Sequence, residues 1–467
     1  MTKTAFLLVL SIIMVSCQRQ TAPARTDGRI EWWLTNPDRT ALFVQQPEPL
    51  RFGNGAENGP VIEIGETAFQ AIDGFGYTLT GGSAMLIHRM EAGPRAALLR
   101  ELFATDGRSI GVSYLRLSIG ASDLDDRVFS YDDLPPGQTD PQLMRFSLDP
   151  DRQHLIPVLK EILAISPALK LLGSPWSPPT WMKTNGNSKG GSLKPEFYDA
   201  YARYFVKYVQ GMKAEGIRID AITIQNEPLH PGNNPSLLML PEEQATFIKN
   251  HLGPAFRQAG IDTKILLYDH NADRPDYPIT ILNDPEARKY VDGSAFHLYA
   301  GPIEALSKVH DAYPDKNLYF TEQWIGAPGD LRGDLGWHVR TLIVGAMRNW
   351  ARTVLQWNLA ADPRQQPHTE GGCDRCLGAL TIDGNTVTRN PAYYIVAVAS
   401  KFVRPGSVRI TSSVVEKLPN VAFRTPDHRR VLIVLNDEAA ARTFVIRHGG
   451  RHATASLPPG AVGTYIW

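Results

Sequence analysis

Eight short apolar runs, each closing on polar or aromatic residues and parted from the next by a helix-like segment, constrain this chain more than any other feature. They occupy residues 70–76, 113–120, 169–176, 221–228, 264–271, 293–300, 317–324 and 352–359. Between them, 196–215 sets Tyr198, Tyr201, Tyr204, Phe205 and Tyr208 at the spacing of one helix face. Pro241-Glu242-Glu243 reads as a helix first turn, with Pro early and acids at the positive dipole end. Residues 337–350 fit a further helix. Near-continuous apolar runs suit strands buried on both faces. Eight strand–helix units over about 290 residues predict an α/β chain built on a (β/α)8 TIM barrel.

The flanks follow another pattern. Short strands are expected at 30–34, 41–44 and 61–64, and again at 421–424, 431–435, 443–446 and 463–467, with 421–436 a hairpin around Pro426-Asp427-His428. The expected organisation is therefore a barrel over 67–393 and a β-sandwich accessory domain over 394–467, joined by N-terminal strands from 29–66. Lys plus Arg and Asp plus Glu each total 48, so no net basic field attracts nucleic acid or anionic lipid.

The chain opens with MTKTAFLLVLSIIMVSC, a Lys before an apolar run too short to span a bilayer. A small residue before Cys17 resembles a bacterial lipoprotein cleavage site. On that reading residues 1–16 are a signal peptide, Cys17 carries lipid and 17–28 form a flexible tether. The protein is then exported to the bacterial cell envelope, periplasmic or cell-surface, and meets membrane only through its anchor. An ordinary secretory signal is the alternative. The other two cysteines, Cys373 and Cys376, form a CxxC with no second pair to complete a zinc site. In an exported protein they are candidates for a disulfide staple, or remain two free thiols.

Barrels of this kind carry their chemistry at the C-terminal strand ends, where the loops converge. Those ends offer Asp123, Trp176, Asn226-Glu227, His297 with Tyr299, Glu322 and Trp357-Asn358. The two glutamates end strands four and seven, nearly opposite across the mouth. Paired carboxyls across a pocket lined by Trp and Tyr suit glycosidic bond cleavage, where one protonates the leaving oxygen and the other attacks or activates water.

Asp73-Gly74-Phe75-Gly76, the run SPWSPPTWMKTNG from Ser174 to Gly186, Asn226-Glu227-Pro228, Thr321-Glu322 and Trp357-Asn358-Leu359-Ala360 together resemble glycoside hydrolase family 30. The resemblance covers roughly residues 30–467 and implies a retaining β-glycosidase with a barrel and a β-sandwich. It makes Glu227 the acid/base and Glu322 the nucleophile, with Arg116 holding Glu322 ionised. Asn226 is expected to bind the sugar 2-hydroxyl, and Asp123 and Trp176 the distal hydroxyls. Trp357 stacks on the ring, Tyr299 donates to the nucleophile, and His297 and Asn358 complete the substrate-binding set. Ionised Glu322 is expected to raise the Glu227 pKa. No metal or organic cofactor is needed. Gln323-Trp324 and the loop 368–376 resemble the family's β-1,6-glucanase branch more than glucosylceramidase, which has Cys two residues after its nucleophile. A β-linked glucoside or glucan is the expected substrate. A β-xylanase-like member and a non-catalytic glycan-binding lipoprotein are the alternatives.

Overall fold

The computed structural model describes residues 28–53 and 59–467. The signal peptide, Cys17 and nearly all of the tether lie outside the described residues. Among those described, no helix is long and apolar enough to cross a membrane.

Eight parallel strands close a barrel: β1 (Gly74–Leu79), β2 (Tyr114–Ser118), β3 (Lys170–Ser174), β4 (Ala221–Thr223), β5 (Lys264–Asn271), β6 (Val291–His297), β7 (Asn317–Glu322) and β8 (Ala351–Asn358). Each pairs with the next in sequence, and β8 returns to β1. Alternation along the strands stacks the interior in layers. Tyr114, Leu172, Ala221, Leu266, Ala295, Tyr319 and Leu355 form an apolar floor. Two residues further on, Arg116, Ser174, Thr223 and Thr321 form a polar layer above it, all fully buried. The barrel is thus a packed plug with a polar top, and that top is where a site can be built.

The expected first strand, 70–76, belongs to two elements. A long strand, Val61–Ala71, lies in the accessory sheet, and β1 starts only at Gly74. Between them Asp73 is held by both Arg352 Nε and Nη2, at 3.0 and 2.8 Å, so the chain turns at a charged pair that an apolar count overlooks. The expected strand at 41–44 shrinks to Val44–Gln45. The helix expected at 337–350 begins earlier, at Leu331, because Asp330 caps it through the Arg332 and Gly333 amides.

The accessory sheet takes strands from both flanks. Arg29–Thr35 pairs antiparallel with Val462–Ile466, and Val61–Ala71 lies between Val408–Ser412 and Arg442–His448. The hairpin around Pro426 joins Asn420–Arg424 to Arg430–Leu435. The 393/394 boundary falls inside the helix Pro391–Ser400, whose residues are all buried. Tyr77 on β1 donates to the Ala392 carbonyl at 3.2 Å, and Thr464 from the sandwich donates to the Val398 carbonyl at 2.8 Å. That helix is wedged between the two bodies.

Candidate active site

Asp269 organises the polar layer. A bulge in β5 sets Tyr268 against Ala295 and His270 against Phe296, leaving Asp269 as the extra residue, with φ of 63°. Its Oδ2 accepts from Arg116 Nη2 at 2.8 Å, Ser174 Oγ at 2.7 Å and Thr223 Oγ1 at 2.7 Å. Its Oδ1 accepts from Thr321 Oγ1 at 2.6 Å, with His297 Nε2 at 3.1 Å. Burial alone raises this carboxyl, but Arg116 and the donors around it hold it well below the usual carboxylate range.

Arg116 then reaches upward from the layer. Nη1 donates to Glu322 Oε2 at 2.6 Å, and Nη2 donates to Asn226 Oδ1 at 2.6 Å. The second bond fixes the Asn226 amide so that its Nδ2 is the group left for a ligand. Tyr299 donates its hydroxyl to Glu322 Oε1 at 2.9 Å. Both oxygens of Glu322 thus receive a donor, the arrangement that favours its ionised form.

His297 lies between the two glutamates and is fully buried. Nδ1 is 3.2 Å from Glu227 Oε1 and 3.7 Å from Glu322 Oε1, while Nε2 faces Asp269. An imidazole with a carboxylate at each nitrogen is satisfied only when both nitrogens carry protons. Burial works against the cation, but Glu322, Asp269 and Glu227 carry its pKa up to about 9. Burial likewise works to raise Glu227, and the His297 hydrogen bond and charge overcome it, leaving that carboxyl below its ordinary value. Glu322 is pushed above its ordinary value, chiefly by burial, against the pull of His297 and Arg116. This reverses the expectation that the charge of Glu322 makes Glu227 the raised acid. The imidazolium held between the two carboxyls supplies the opposing positive charge.

One oxygen each from Glu227 and Glu322, with a nitrogen of His297, all lie within 4.8 Å of one another. Such a set could hold a cation, but the Arg116 guanidinium on Glu322 already supplies positive charge there. The separation fits the roughly 5–5.5 Å of two carboxyls acting on one anomeric carbon with retention, and is short of the 6.5 Å or more that inversion needs. Above the pair opens a cleft of about 400 Å³, lined by Asp123, Trp176, Asn226, Trp324, Trp357 and both glutamates among others.

Residues 72–403 match the glycosyl hydrolase family 30 TIM-barrel domain, and 406–465 match the family 30 beta sandwich domain. The chain belongs to glycoside hydrolase family 30. It is an O-glycosyl hydrolase. Among family 30 relatives, an endo-1,6-beta-D-glucanase of Neurospora crassa is 38% identical over 73% of this chain and 72% of its own length. The lysosomal acid glucosylceramidase of Mus musculus is 31% identical over 86% and 82%. The solved structure of the endo-beta1,6-glucanase BT3312 superposes with a TM-score of 0.86 at 35% identity, covering 94% of this chain and 99% of that one.

Within this family 30 site the expected residues divide. Asp123, Trp176, Asn226, Glu227, Tyr299, Glu322 and Trp357 all line the cleft. Trp176 and Trp357 lie 5.4 Å apart between ring centroids, and the Arg116 guanidinium sits 4.7 Å from the Trp176 ring. Burial and the two glutamate charges push Asp123 up to about 7. Two expectations are corrected. His297, expected to touch substrate, is fully enclosed beside Glu227 and does not line the cleft. Asn358 is buried with its Nδ2 on the Cys376 carbonyl at 3.3 Å, so it braces a loop. Cys373 and Cys376 are joined by a disulfide that borders the cleft. Strand-end reading passes over Asp269 and also His230, Asn233, His270 and Asn271, which line the cleft, whereas Trp324, singled out two residues after the nucleophile, does line it. The signal was available in YDHN at the end of the fifth run.

Proposed function

We propose that this chain is an exported β-1,6-glucanase in which Glu227 is the acid/base and Glu322 the nucleophile. Glu322 attacks the anomeric carbon as the bond to the departing oxygen breaks, and that oxygen takes the proton held by the Glu227–His297 pair. Glycosylation of Glu322 removes its charge. Glu227, having given up the proton, then accepts one from water, whose oxygen displaces Glu322 from the anomeric carbon. Asn226 Nδ2 binds the 2-hydroxyl, Asp123 the distal hydroxyls, and the Trp176–Trp357 pair the sugar face.

The observation that carries the glucan reading is the chemistry of the cleft wall around Glu227. Asn233 donates to Glu227 Oε2 at 3.4 Å, and His230, His270 and Asn271 line the same cleft, a polar wall that suits a departing sugar rather than the acyl chains of a ceramide. The likeness to the endo-1,6-beta-D-glucanase of Neurospora crassa and to the endo-beta1,6-glucanase BT3312 supports the same linkage.

Incubating the protein with β-1,6-, β-1,3- and β-1,4-glucans, xylan and glucosylceramide tests this reading. The β-1,6-glucan should be cleaved fastest, and proton NMR should show the β-anomer first. Glu227→Gln and Glu322→Gln should each lose at least about a thousandfold in rate, about 4 kcal/mol of barrier. Azide should rescue Glu322→Ala on an activated aryl glucoside as the α-glucosyl azide. A β-azide from that variant exchanges the two roles. Export through a lipid on Cys17 is part of the same proposal, and Cys17→Ser should move the protein out of the membrane fraction.

A further inference from the structure

The β5 bulge that turns Asp269 into the barrel interior also sets His270 at the cleft wall. The ring packs beside Tyr268 and His297, with centroids 5.7 and 6.5 Å away. It is 7% exposed, and its Nδ1 is buried with no hydrogen-bond partner among the described residues. An unpaired polar atom at that depth is unfavourable unless something else meets it. Burial lowers the ring to about 4, so at neutral pH it presents one donor and one acceptor, the pattern of a sugar hydroxyl.

Its place in the cleft says which sugar. Trp176 and Trp357 pack with Leu124, Cys376 and Cys373, whose amide meets Asp123, and so form one part of the lining, with Arg116 against both indoles. Glu227 instead donates its amide to the Asp269 carbonyl at 3.0 Å and accepts at its own carbonyl from the His230 amide at 2.9 Å, which sets His270 and His230 on the Glu227 side of the cleft. Glu227 delivers the proton to the departing oxygen, so its surroundings face the departing half of the substrate.

We propose that His270 is the anchoring residue of a leaving-group subsite, where its imidazole hydrogen-bonds a hydroxyl of the departing sugar. This rests on Glu227 being the acid and on a glucan substrate. It explains why a histidine is kept neutral beside a carboxylate whose other histidine partner is charged.

The test compares kcat/KM on a β-1,6-linked glucotriose and on 4-nitrophenyl β-glucoside, whose leaving group has no sugar hydroxyl. In His270→Phe and His270→Ala the trisaccharide-to-aryl ratio should fall at least tenfold. A ratio within twofold of wild type overturns the inference, whatever the absolute rates. A measurement on the unsubstituted histidine covers variants that fail to fold. In inactive Glu322→Gln, the His270 ring resonances should shift with the trisaccharide far more than with methyl β-glucoside, and equal shifts overturn the inference. Wild type that cleaves the aryl glucoside and not the β-1,6 trisaccharide overturns the linkage reading instead. The same ratio is then taken with whichever β-linked glucobiose is turned over.

Discussion

Arg116 meets Glu322, Asn226 and Asp269 through two nitrogens, in a pocket roofed by two indoles. A lysine keeps the charge but has no planar fork to reach three partners. Arg116→Lys should lower kcat/KM on an aryl glucoside at least about a hundredfold, about 2.7 kcal/mol. His297 allows a sharper test. The acid limb of kcat/KM should follow Glu322 and lie above the ordinary carboxylate value of 4.5, because that group must be ionised and burial raises it. The alkaline limb should follow the proton on the His297–Glu227 pair, retained below about 9 and lost above it. Removing the imidazolium leaves Glu227 to hold that proton alone. His297→Gln should therefore move the alkaline limb to lower pH, and a pH–rate profile that keeps its alkaline limb contradicts the shared proton.

At the scale of elements, the loop over 369–377 ties the chain beyond the end of β2 to the chain beyond the end of β7. Thr369 N donates to the Asp123 carbonyl at 2.9 Å, and Cys373 N donates to Asp123 Oδ2 at 3.4 Å. Ala327 N donates to the Arg375 carbonyl at 2.8 Å, and Leu377 N donates to the Ile325 carbonyl at 2.9 Å. The disulfide closes only a four-residue turn, which stabilises the fold by about 2 kcal/mol in the chain-entropy account. It also fixes Cys373, whose amide meets Asp123. Cys373→Ser with Cys376→Ser should raise KM severalfold on a glucoside, with a smaller fall in kcat and a melting point lowered by only a few degrees. The barrel strands were legible because a buried parallel strand has one composition along its whole length. The glutamates were legible because strand ends are where polar residues interrupt that composition. For Asp269 the polar YDHN marks a strand end, but the bulge that turns it into the barrel interior leaves no mark on hydrophobic period. Nor was the protonation of His297 legible, because it depends on three carboxylates from distant parts of the chain.

Across the whole molecule, the barrel and the sandwich share buried surface. Arg348 donates Nε to the Asn420 carbonyl at 2.8 Å and Nη2 to Ser412 Oγ at 2.9 Å, and the helix Pro391–Ser400 has no polar face to show to water. Calorimetry of the full chain should give one unfolding transition. A chain stopped after residue 403 should aggregate, because it keeps that helix and loses the sheet that covers it. The pairing of Arg29–Thr35 with Val462–Ile466 also fixes an order of assembly. The ribosome delivers one edge of that ladder hundreds of residues before the other, with the entire barrel made in between. The earliest strand waits for that partner, with only the short Val44–Gln45 and Leu50–Arg51 beside it, while the barrel forms. Slower synthesis or added chaperone during that interval should therefore change how much of the enzyme reaches its native state.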